Sequence, residues 1–254
     1  MSVHKFSSYI AIGDSFTEGV GDELPDGRVR GWADLVAVGL AYASREPMSY
    51  ANLAIRGRLL APIIDGQLDA ALALKPALLS INGGGNDILR PRVTISRVAD
   101  QLLAAVDRAT AEGVHVILAS GANPSRHMPM GAMVQVRGEQ LAQGIRDQLP
   151  KVKVTFVDNW ADAELGDIRY WSPDKIHLNS RGHARVASNV LEALGLPIPQ
   201  PGHDPAVDET RMRSAAYWRQ YVLPWIGRRL TGRSSGDNRV PKIATLQPVD
   251  LPDV

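Results

Sequence analysis

Three observations predict an α/β fold built on a parallel sheet. Five short apolar runs, at 9–12, 48–53, 77–82, 114–119 and 152–157, alternate with segments of helical periodicity. The first three runs each end in a turn rich in Gly or Asn, and in a parallel sheet such turns fall on one edge. The chain has 254 residues, 44% of them hydrophobic and 22% charged, enough to bury a sizeable core.

The first run, Tyr9-Ile10-Ala11-Ile12, reads as a buried strand and leads into Gly13-Asp14-Ser15. Ser15 therefore stands at a strand end, where it either caps a helix or faces a ligand. Residues 18–31 read as a polar, glycine-rich loop in which Asp22, Glu23 and Asp26 match no calcium pattern and are expected to be solvated. Trp32, Leu35, Val36, Leu40 and Ala43 recur at helical spacing. The strand at 48–53 runs into Arg56-Gly57, and Leu59, Leu60, Ile63, Ile64, Leu68 and Leu72 give the next helix. Gly57 thus lies at a strand-to-helix turn, as a positive-φ glycine or a backbone N–H donor.

The third strand opens into Gly83-Gly84-Gly85-Asn86-Asp87. This matches neither a dinucleotide fingerprint nor a phosphate loop, but it lets the backbone approach a ligand, with Asn86 as a turn residue or a side-chain donor. Helices follow at 94–112 and 133–149, the latter stopped by Pro150. His127, in the irregular stretch 120–131, reads as an exposed loop histidine. Beyond the fifth strand, Asp174 precedes His177 by three residues, just ahead of a helix carrying Val186, Val190 and Leu191. A loop that folds back there lets the carboxylate hold one imidazole nitrogen while the other faces outward. His183 sits inside that helix with no acid close before it, and reads as structural.

Taken in order, Gly13-Asp14-Ser15, Gly57, Gly84-Gly85-Asn86-Asp87 and Asp174-x-x-His177 resemble the signature blocks of the SGNH hydrolases, also called GDSL esterases/lipases. The resemblance implies a flavodoxin-like three-layer α/β/α sandwich around a five-stranded parallel sheet. It implies catalytic roles for Ser15 as nucleophile, Asp174 as acid and His177 as base. It implies an oxyanion hole from the N–H groups of Ser15 and Gly57 and the amide of Asn86, with neither cofactor nor metal. Phe16 stands where the Gly-Asp-Ser-Leu block has leucine, a packing change. The Gly-x-Ser-x-Gly elbow of α/β-hydrolases is absent.

The expected chemistry is hydrolysis of carboxylic esters through an acyl-enzyme, with small-molecule esters of short acyl chains as substrates. An acyltransferase sharing the acyl-enzyme and a non-catalytic binding module are the alternatives. A formal net charge of +1 gives no reason to expect nucleic acid. The absence of cysteine excludes disulfides and thiol catalysis. No signal-peptide pattern opens the chain, so the cytoplasm is the expected compartment.

Residues 1–196 are expected to form the catalytic domain, and 197–254 a C-terminal extension with a Pro-rich connection. Asp208 would cap a basic amphipathic helix bearing Ala215, Trp218 and Val222, continued by Trp225 and broken at Pro224. Its tryptophans are expected to pack on this chain or on a second copy in a homodimer, rather than on a membrane.

Overall fold

A computed structural model describes residues 6–44, 46–149, 153–198 and 236–251. The helix expected around Trp218 and Trp225 lies outside the described residues. Strands β1 (Ser8–Ile12), β2 (Ser49–Asn52), β3 (Leu78–Ile81), β4 (His115–Ala119) and β5 (Val154–Val157) are parallel neighbours. The full order is β5-β4-β3-β1-β2-β6.

The helices are α1 (Ser15–Glu18), α2 (Trp32–Ala43), α3 (Leu60–Pro62), α4 (Asp69–Ala73), α5 (Gly85–Ile88), α6 (Ile95–Ala111), α7 (Gly131–Gln148) and α8 (Ser180–Ala193). Residues Ile63–Leu68 form a π-helical stretch between α3 and α4.

Alternation along β1 explains the three layers. Tyr9 and Ala11 pack with Trp32, Val36 and Leu40 of α2 and Val190 and Leu191 of α8. Ile10 and Ile12 point to the other face, toward Leu60, Leu68, Leu102, Val106 and Leu141. A strand covered on both faces has no polar side to show, which is why it reads as a continuous apolar run. Each large side chain fully buried in these layers stabilises the fold by about 1.5–3 kcal/mol.

Among the described residues the sheet has six strands, not the expected five, and its sixth is not parallel. Strand β6 (Ile243–Pro248) pairs antiparallel with β2, setting Tyr50 against Gln247 and Asn52 against Ile243. It covers the edge that β2 would otherwise leave open. Adjacent β1 and β3 mark the point where the strand order reverses, and α/β folds bind ligands beyond the strand ends at such a crevice.

Candidate active site

Ser15 is the first residue of α1, immediately beyond the carboxyl end of β1. Asp14 caps this helix by accepting from the Phe16 N–H at 3.0 Å. The preceding peptide is clamped from both sides: Gly13 N–H donates to Gln67 Oε1 (2.8 Å), and Gln67 Nε2 donates to the Gly13 carbonyl (3.0 Å). Gln67 belongs to the π-helical stretch.

Asp174 and His177 lie in a tight reversal before α8. Trp171 and Leu178 form an antiparallel bridge across it, and Ser172 N–H donates to the His177 carbonyl at 2.9 Å. Asp174 Oδ1 accepts from the backbone N–H groups of Ile176 and His177. Its Oδ2 lies 2.5 Å from His177 Nδ1. The far nitrogen, Nε2, lies 3.0 Å from Ser15 Oγ. Three residues, one near the start of the chain and two more than 150 residues later, thus form one hydrogen-bonded line.

Asn86 sits on α5, beyond β3. Its amide donates to Asp14 Oδ2 (3.1 Å) and to the Arg58 carbonyl (3.0 Å), joining the turn after β3 to those after β1 and β2. Gly57 lies in the last of these, with φ 75°, a left-handed conformation that disfavours any side chain. Asp87 Oδ2 accepts from Leu60 N–H at 3.0 Å and fixes the start of the helix that follows Gly57.

The electrostatics follow from this packing. Burial pushes the Asp14 carboxyl up to about 6, against the lowering influence of the Phe16 N–H, the His177 charge and Asn86. Burial also disfavours a charged His177, but its hydrogen bond to Asp174 and the charges of Asp174 and Asp14 outweigh this and hold its pKa above the ordinary value. Asp174 is desolvated too, yet its bonds from His177 and the loop N–H groups keep it below the usual carboxylate range. His183 is structural: Nδ1 accepts from Trp32 N–H, Nε2–H donates to the Val20 carbonyl, and burial pushes its pKa down to about 4.

In the region 18–31, Glu23 and Asp26 are exposed as expected, but Asp22 is not. Glu18 is buried against Arg56, and Asp22 against Arg30, because each carboxylate meets a guanidinium from outside its own turn. His127 is half-buried rather than exposed, with Nε2 3.0 Å from the Gly166 carbonyl and its ring against Trp171. Gln67 and Glu18 escaped the sequence reading; a polar residue on a helical face carries no local sign of a distant partner.

A family model described as "GDSL-like Lipase/Acylhydrolase family" matches residues 11–185. The chain belongs to this family. It is accordingly an ester hydrolase of the serine type, acting on small-molecule esters. No curated protein matches it.

Among solved structures, it resembles the lipase Lip_vut3 from a goat rumen metagenome, with 18% identity and TM-score 0.62, covering 73% of this chain and 96% of that one. It also resembles Axe2, an acetylxylan esterase from Geobacillus stearothermophilus, with 19% identity and TM-score 0.61, covering 79% and 100%. The psychrotrophic esterase EstA from Pseudoalteromonas sp. matches with 18% identity and TM-score 0.55, covering 74% and 97%. At these identities the GDSL family chain shares their fold. Among the described residues, no helix is long and apolar enough to cross a membrane, and no cluster of three or more His, Cys, Asp or Glu could hold a metal ion.

Proposed function

We propose that Ser15, His177 and Asp174 carry the hydrolysis, with short-chain acyl esters as substrates. The observation that supports this most is the unbroken line from Asp174 Oδ2 through His177 to Ser15 Oγ. As Ser15 Oγ attacks the acyl carbon, its proton passes to His177 Nε2. Asp174 holds the proton on Nδ1 and steadies the imidazolium. The C–O bond to the alcohol then breaks, and His177 returns the proton to the leaving oxygen. Water repeats the attack on the acyl-enzyme and releases the acid.

The oxyanion is assigned to the N–H groups of Ser15 and Gly57 and the Asn86 amide. Asn86 donates to the Arg58 carbonyl at rest. An oxyanion is a stronger acceptor than a neutral carbonyl and would compete for that hydrogen. Residues 1–196 supply all of these groups. Acetylated sugars fall within the short-chain class, as the name of the Axe2 neighbour illustrates.

The experiment is Ser15→Ala with activity and folding measured together. Turnover should fall on the order of a million-fold while the fold persists. Near-normal hydrolysis by a folded Ser15→Ala protein would reject the mechanism.

A further inference from the structure

A partly enclosed cavity of about 120 Å³ begins at Ser15, Asn86 and His177 and runs inward between the ends of β3 and β4 and the helices α6 and α7. Its inner wall is built from Leu102, Leu118, Val134, Leu141, Ile145 and Trp160, all of them buried. Two polar residues on its walls are already committed to the protein, while the Trp160 indole N–H is buried without a hydrogen-bond partner among the described residues. Asn82 donates to the Ala119 carbonyl, and Ser120 Oγ accepts from the Trp160 backbone N–H. The α7 helix presents Gly138 to the Trp160 ring, where an added Cβ would fall 2.0 Å from a ring carbon. The end of the cavity is therefore set by close packing rather than by a mobile loop. Of the loop 18–31, Val20 alone lines this space, beside Phe16 of α1.

We propose that this cavity is the acyl site and that it takes an unbranched saturated chain of about four to six carbons. The proposal rests on Ser15 being the nucleophile, because that places the ester carbonyl at the cavity mouth. The chain then lies inward and the alcohol outward. An apolar cavity of about 150 Å³ holds benzene, with six carbons, so the present volume fits a chain slightly smaller than that. Burial of each methylene should raise kcat/KM roughly fourfold until the cavity is full. Beyond that length the chain meets packed side chains, and overpacking is unfavourable.

The test uses the full chain and a series of p-nitrophenyl esters from acetyl to dodecanoyl. In the wild type, kcat/KM should climb from acetyl to butyryl or hexanoyl and fall from octanoyl onward. Ala142→Leu adds bulk to the wall, and should lower the hexanoyl-to-acetyl ratio of kcat/KM at least about tenfold. Leu141→Ala removes bulk and should move the optimum toward longer chains. A flat wild-type profile from acetyl to decanoyl, which needs no variant to fold, would overturn the proposal. So would an unchanged ratio in a folded Ala142→Leu protein. If Ser15→Ala is inactive while either of these holds, the acyl site alone is wrong; if Ser15→Ala stays active, the mechanism beneath it is wrong.

Discussion

Glu18 grips Arg56 through three contacts. The Arg56 backbone N–H donates to Oε2 at 2.6 Å, while Nε and Nη2 donate to Oε1 at 2.8 and 2.5 Å. Glu18 is the last residue of α1, which Ser15 begins, and Arg56 immediately precedes Gly57. One carboxylate therefore ties the nucleophile's helix to the turn that would supply a backbone donor.

Replacing Glu18 by Ala should damage both stability and catalysis. Both partners are mostly buried, at 18% and 9% side-chain exposure, and removing one leaves Arg56 poorly compensated. Loss of a buried partner costs about 3–5 kcal/mol. If Gly57 drifts from its position, kcat should fall by up to about 10²–10³-fold, the cost of one oxyanion donor. Thermal melts with steady-state kinetics check this; a full kcat in a destabilised variant would separate the ion pair from the donor.

Asn86→Ala should lose roughly 10²–10³-fold in kcat with a smaller effect on KM, because an oxyanion donor matters most in the transition state. The variant also strips Asp14 Oδ2 and the Arg58 carbonyl of a donor, so some loss of melting temperature should accompany it. An increase confined to KM would make Asn86 a substrate-binding residue instead.

The base must be neutral to accept the Ser15 proton, so kcat/KM should rise with pH. Burial opposes the charged imidazole, but Asp174 and Asp14 win, so the midpoint should lie above the ordinary histidine value of 6.5. Asp174→Asn removes the main raising influence. It should move the midpoint down and cost about 10⁴-fold in rate. For stability, the raised His177 pKa contributes fully below 6.5 and is lost as pH rises through the folded value. Asp14 acts with the same sign: its contribution is full below 3.8 and lost as pH rises through about 6. A pH–rate profile with parallel pH-dependent melts checks both signs.

The central sheet was legible because two buried faces force continuous apolar runs, and α6 and α8 because their apolar residues recur at helical spacing. Ser15 and Asn86 stood out as short motifs after strands, and the Asp174–His177 pair as a short motif just ahead of α8. Helices α1 and α5 were not, being only four residues each and too short for a periodic signal. Strand β6 was missed for another reason. Ile243 and Leu246 carry little apolar weight alone, and its partner β2 lies far upstream in the chain. The cavity beside Ser15 was hidden as well, because Leu102, Leu141 and Ile145 look like ordinary core residues until the packing leaves space between them.

Lys242, just before β6, donates to the Glu18 carbonyl, the Val29 carbonyl and the Asp34 carboxylate, at 2.7, 3.0 and 2.6 Å. Both this lysine and β6 lie beyond the family-matched residues 11–185. A fragment trimmed to that match would retain every proposed reacting group yet lose the rivet that fastens α1 to α2. It would also bare the outer rim of β2 to strands from other molecules. Part of what braces the proposed reacting groups therefore lies outside the family signature.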